Sequence, residues 1–152
     1  MRHHIRWAFA VALAAATGQI ALFAAEPTAE QTAAMRGTWE ITSLIVDGNM
    51  FGPDQIEKMR RVVKDNHVVW SDGDKTLLET DIAFDPTKSP MTLDSVVSAG
   101  DQRGNKMLAI YELRGDELRV CFGHFDKPRP TAFESVGGQG QSMFTARRVA
   151  AQ

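Results

Sequence analysis

Few residues in this chain have the types and spacing that chemistry requires. Past residue 25 there are two histidines, His67 and His124, and one cysteine, Cys121. A structural zinc site wants four converging ligands and a catalytic one three. The two histidines are far apart and neither has a ligand partner at metal-site spacing, so no metal ligand and no haem ligand is assigned. Cys121 lies in the apolar run Val120-Cys121-Phe122, which reads as a buried, inert thiol. On a continuing strand Cys121 and His124 point to opposite faces and cannot pair. No Gly-x-Ser-x-Gly elbow occurs. Glu79 and Asp81 share one face of a strand, and Glu112 shares one with Ile110. Turned inward, such carboxylates would titrate high and could bind or catalyse. A solvated outer face is the simpler account. The sequence therefore assigns no catalytic residue and no cofactor.

The segment Lys127-Pro128-Arg129-Pro130 is the most distinctive polar feature. Its prolines fix the backbone and present Arg129 in a defined direction. Arg129 can anchor an anionic ligand group or brace a loop against a backbone carbonyl. Tyr111, Phe122 and Phe133 are the aromatic side chains placed to line or fill an interior. With Arg129 they form the expected ligand-binding set.

These residues need a frame, and composition bounds it. The chain has 152 residues, 43% of them hydrophobic and 24% charged, which suits one globular domain. Arg2 and Arg6 precede a stretch from Trp7 to Ala25 with no charged residue. A basic start before an apolar run reads as a secretory signal peptide over residues 1–25, and a retained anchor is the alternative. Cleavage can follow Ala16, Ala24 or Ala25. The expected location is extracytoplasmic, periplasmic or secreted, with no membrane span once the leader is removed. A single cysteine cannot form an internal disulfide, so the core alone must hold the fold. Removing Arg2 and Arg6 with the leader takes the net charge from −2 to −4. With no run of basic residues, nucleic acid is not an expected partner.

Residues 26–36 (EPTAEQTAAMR) form a short helix or a simple leader. Pro53 to Arg60 is a second helical candidate, with Pro53 at its first position. The rest reads as about eight strands between turns: 37–46, 60–64, 67–71, 75–84, 91–98, 106–113, 117–123 and 141–148. Arg114-Gly115-Asp116 is a tight hairpin signal. Alternation places Leu118, Val120 and Phe122 on one side and Glu117, Arg119 and Cys121 on the other. It sets Leu78, Ile82 and Phe84 against Glu79 and Asp81, and Trp39, Ile41 and Ile45 against Glu40 and Thr42. Consecutive hairpins without intervening helices point to an all-β fold: one antiparallel up-and-down barrel over residues 37–149. A two-sheet sandwich is the alternative.

Gly37-Thr38-Trp39 at the head of the first strand resembles the Gly-x-Trp signature of the lipocalins. The resemblance implies that Trp39 packs across one end of the barrel against an Arg near the end of the last strand, Arg147 or Arg148. Gly37, Trp39 and Arg148 are the expected structural closure. More of the chain, about residues 35–148, is similar to an uncharacterised lipocalin-like domain family described mainly from planctomycete bacteria. The matching pieces are Gly37-Thr38-Trp39 with Ser43 and Asp47-Gly48, Phe84-Asp85-Pro86, and Ile110-Tyr111-Glu112-Leu113 with Gly115-Asp116. They continue through Leu118-Arg119-Val120-Cys121-Phe122, Lys127-Pro128-Arg129-Pro130-Thr131 and Phe133. Gly123-His124-Phe125-Asp126 departs from that pattern, so the resemblance assigns His124 no role. The family carries no established activity. The lipocalin likeness implies a binder of a small apolar or amphipathic molecule. The alternative is an envelope interaction or inhibitory module with a packed barrel, presenting loops such as 123–131 and 137–140.

Overall fold

The computed structural model describes residues 27–150. The expected signal peptide, residues 1–25, lies outside them. Within the described residues the strands are β1 (Gly37–Val46), β2 (Asn49–Met50), β3 (Met59–Lys64), β4 (His67–Asp72), β5 (Lys75–Asp85), β6 (Met91–Val97), β7 (Lys106–Arg114), β8 (Glu117–Phe122) and β9 (Ser142–Arg148). Two helices accompany them, α1 (Ala29–Met35) and α2 (Pro53–Ile56). Every strand pairing is antiparallel, and β9 returns to pair with β1. Eight strands thus close into a barrel, with β2 hydrogen-bonded to the end of β1. Closure leaves the eight barrel strands without free edges, and one continuous core packs inside them.

The local sequence explains the elements. Thr28 caps α1: its hydroxyl accepts from the Gln31 amide, and the Gln31 side chain accepts from the Thr28 amide. Residues 29–35 are therefore helical, and Met35 is buried. Asp47 and Gly48 both take positive φ, the conformation that a tight hairpin between twisted strands requires. A Cβ at Gly48 would also come within 2.8 Å of the Gly137 amide nitrogen.

Two details differ from the sequence reading. The register of β1 against β9 shifts between Ile41 and Ser43, so Thr42 is an extra, bulged residue. Its hydroxyl donates to the Thr145 carbonyl at 3.1 Å. A bulge reverses the sidedness of everything after it. Trp39, Ile41 and Leu44 are buried, whereas Ile45 leaves the core face on which strict alternation would set it. The second helix is a single turn, 53–56, and Met59 already begins β3. The pairing of Met59 through Lys64 with β4 outcompetes the helical pattern that ran to Arg60.

The connection from β8 to β9 runs over residues 123–141. It folds back over the outside of the barrel wall. Arg129 fastens one part of it through the carbonyls of Leu93 and Ala109, and Cys121 meets another at the Glu134 carbonyl.

Candidate functional site

The two ends of the barrel differ. One end is formed by the start of β1, the end of β3, the start of β4 and the end of β9, and it is plugged. Trp39 lies across it, fully buried. The guanidinium of Arg148 stacks on the indole with its Cζ 4.2 Å from the ring centroid. Arg148 donates to the Ala34 carbonyl at 2.6 Å and to the Arg36 carbonyl, and its Nε donates to Asp116 at 3.0 Å. The Trp39 Nε1 donates to the Met35 carbonyl at 3.2 Å. Helix α1 is thus tied over this end by one cation and one indole. Gly37 belongs to the same device. A Cβ there would lie 3.2 Å from Arg148 Nη1, and its φ of +119° disfavours any L side chain.

The opposite end holds a cavity of about 270 Å³. Its walls are mostly apolar: Leu44 and Val46 from β1, Met59 from β3, Trp70 from β4, Phe122 from β8 and Phe144 from β9. Trp70 meets Phe144 edge-on with centroids 4.8 Å apart, and Phe122 stacks on Phe144 at 6.3 Å. Three hydroxyl residues, Thr80, Ser95 and Ser142, interrupt this surface, and the first two are each 2% exposed. Among the described residues no ionisable side chain lines the cavity.

Below the cavity lies a charge. The inward residues of β3 run Met59, Arg61, Val63, from the cavity wall toward the plugged end. Arg61 sits in register between Trp39 on β1 and Trp70 on β4. It is 1% exposed. Its guanidinium reaches past β1 to Phe144, with Cζ 5.9 Å from the ring centroid. Neither Nε nor Nη1 has a hydrogen-bond partner, and none of the ion pairs among the described residues includes it. Burial lowers its pKa to about 10, so it remains a cation at neutral pH. Sequence reading missed Arg61 because it stands in a run of strand residues. The one signal was alternation, which puts Arg61 on the same face as Val63.

The expected ligand-binding set divides among three places. Phe122 lines the cavity. Tyr111 faces inward at the plugged end, edge-on to Phe84 at 6.3 Å, and burial pushes its hydroxyl up to about 12. Arg129 and Phe133 are outside the barrel. Arg129 donates to the Leu93 and Ala109 carbonyls at 3.2 and 2.6 Å and pairs with Asp94 at 2.6 Å. Phe133 lies under the guanidinium of Arg119, 4.5 Å from centroid to Cζ. Proline-fixed presentation of Arg129 thus serves the barrel wall and not the interior.

The other polar candidates stay apart. Glu112 pairs with Arg114 at 3.5 Å, and His124 packs on Phe125 with ring centroids 5.5 Å apart. His67 lies opposite Asp81 in the β4–β5 register. Its Nδ1 is 2.9 Å from Asp81 and its Nε2 3.2 Å from Glu79. The hydrogen bond to Asp81 is the main cause holding the His67 pKa above its ordinary value. No group of three or more His, Cys, Asp or Glu side chains among the described residues is arranged to hold a metal ion. No helix among them is long and apolar enough to cross a membrane.

Comparison of the chain with protein-family models, with curated proteins and with solved structures finds no match.

Proposed function

We propose that this protein is an exported, lipocalin-like binder of a small apolar or amphipathic molecule, held in the cavity at the unplugged end of the barrel. The observation that carries this reading is the asymmetry of the interior. Trp39, Arg148 and α1 cover one end and leave about 180 Å³ there beside Phe84 and Tyr111, while about 270 Å³ at the other is walled by Trp70, Phe122 and Phe144. Apolar side chains facing an unfilled space forgo the dispersion contacts and water exclusion that an apolar guest would supply. Surface loops are not the better candidates. The segment 123–141 is fastened to the wall by Arg129 and at Glu134, which leaves it little freedom to wrap a protein partner.

The resemblance of Gly37-Thr38-Trp39 to the lipocalin signature supports the same reading, and the basic, then uncharged, leader supports export.

Native mass spectrometry of the protein purified from its own host, before and after mild unfolding, tests the reading. A small molecule released on unfolding is the expected result. A clean mass, together with unchanged tryptophan fluorescence on addition of 1-octanol, would overturn it.

A further inference from the structure

We infer that Arg61 is the anchor for an anionic head group, so that the guest of this cavity is a small monocarboxylate with its apolar tail toward the mouth. This rests on the cavity-binding reading and adds the chemistry of the ligand.

The argument begins with an imbalance. A guanidinium taken out of water needs hydrogen bonds and a counter-charge. Arg61 is 1% exposed, and its Nε and Nη1 have no acceptor among the described residues. The other interior or half-buried arginines do not share this condition. Arg148 is served by two carbonyls and Asp116, Arg129 by two carbonyls and Asp94, and Arg119 by the Phe133 carbonyl. The chain thus supplies partners wherever an arginine braces the fold and withholds them at one place, beneath the cavity.

The shape of the guanidinium selects the guest. A planar fork of N–H donors matches a carboxylate in two parallel hydrogen bonds. No cation is among the residues that line the cavity, and Arg61 lies beneath them, beside Trp70 and Phe144, so one negative charge is balanced and two are not. Thr80, Ser95 and Ser142 add hydroxyls on the wall. At about 270 Å³ the cavity lies just under the ~300 Å³ at which pockets for drug-sized ligands begin, which suits a short-chain or aryl-substituted carboxylic acid. Trp70, Phe122 and Phe144 then enclose the tail.

The test uses octanoate and 1-octanol as probes, which differ chiefly in head-group charge. Binding to the full purified protein is followed by calorimetry and tryptophan fluorescence at pH 7.4. An apolar cavity without a cation would favour the alcohol, because the carboxylate is the harder group to desolvate. The expected result is one octanoate per chain, bound at least about tenfold tighter than 1-octanol, as a charge-assisted hydrogen bond implies. Arg61→Met should reverse that preference while still binding 1-octanol, and Arg61→Lys should fall between. Equal or tighter binding of 1-octanol to the unaltered protein overturns the role of Arg61 and leaves the apolar cavity standing. So does a preference that survives Arg61→Met. Binding of neither probe overturns both readings. If Arg61→Met fails to fold by circular dichroism, the comparison of probes on the unaltered protein and on Arg61→Lys decides.

Discussion

Arg148 and Trp39 lie at opposite ends of the domain's sequence, yet the guanidinium stacks 4.2 Å from the indole centroid and closes one end of the barrel. The same side chain reaches the Ala34 and Arg36 carbonyls and Asp116, so it joins the first strand, the last strand, a hairpin and the helix before them. Arg148→Ala removes the stack and leaves those two carbonyls without their donor. Charge-assisted hydrogen bonds and a partly buried cation–π contact together imply a loss of about 2–4 kcal/mol. Arg148→Lys should recover only part, because one ammonium cannot serve the carbonyls and the ring face together. Urea unfolding measures both. A loss below about 0.5 kcal/mol, the level of an ordinary surface substitution, would show that the closure is decorative.

Arg129 holds residues 123–141 against the wall by a different arrangement. It enters between β6 and β7 and takes up the Leu93 and Ala109 carbonyls, with Asp94 as counter-charge. Arg129→Ala should cost about 2 kcal/mol, the scale of losing hydrogen bonds from a charged donor. It should also raise amide hydrogen exchange in residues 123–135 well above that of the β1–β9 pairing. Uniform exchange across the loop and the barrel in the variant would contradict a local clamp.

Cys121 tests the seating of the same connection further along. The thiol lies on the outer face of β8 but is completely covered, and its Sγ donates to the Glu134 carbonyl at 3.2 Å. Burial pushes its pKa up from the ordinary thiol value, so little thiolate forms near neutrality. The folded protein should resist iodoacetamide at pH 7.5 for hours and react within minutes in urea. Rapid labelling of the folded protein would mean that residues 131–136 lift from the wall.

The fold was largely legible because the strand turns and the two-residue alternation are written plainly. Leu118, Val120 and Phe122 face inward and Cys121 outward, as alternation requires. What alternation cannot show is a bulge, since Thr42 looks like any strand residue and the shift is seen only when Ile41 pairs with Ala146 and Ser43 with Thr145. The site was less legible for a related reason. Aromatic residues at the plugged end and at the open end look alike in sequence, so Tyr111 and Phe122 were grouped although they lie at opposite ends. Arg129 is framed by prolines and draws notice, while Arg61 is flanked by strand formers and does not. Only the closing of β3 between β1 and β4 reveals that Arg61 is buried in the barrel without a counter-charge.

His67 provides a pH dependence of known sign. Asp81 and Glu79 flank its ring, Lys64 is its cross-strand neighbour on β3, and its folded pKa is raised above the unfolded value near 6.5. A group raised in this way contributes its full stabilisation below about pH 6.5, and the contribution disappears as pH climbs through the folded pKa. The site is solvent-exposed, so the effect should stay below about 1 kcal/mol. Nuclear magnetic resonance titration of the His67 ring should give a midpoint above 6.5, and Asp81→Asn should bring it down. A midpoint unmoved by Asp81→Asn would rule out that carboxylate as the main cause.

Arg61 gives the sharpest stability prediction, because its sign runs against the usual effect of altering a core residue. A buried cation without a counter-charge burdens the folded state, and replacing buried ionic groups by hydrophobes of similar volume is often neutral or stabilising by ~1–4 kcal/mol. Arg61→Met should therefore raise the unfolding midpoint of the ligand-free protein. The contact with Phe144 is long, 5.9 Å to the centroid, and offsets little of this. Added octanoate should reverse the order, because a ligand that binds only the folded state stabilises it by ~2.7 kcal/mol at a hundred times its dissociation constant. Calorimetric midpoints of the two proteins, with and without octanoate, give all four values. A ligand-free Arg61→Met protein less stable by more than about 1 kcal/mol would mean that the guanidinium holds the core together, and the order of the midpoints would not cross.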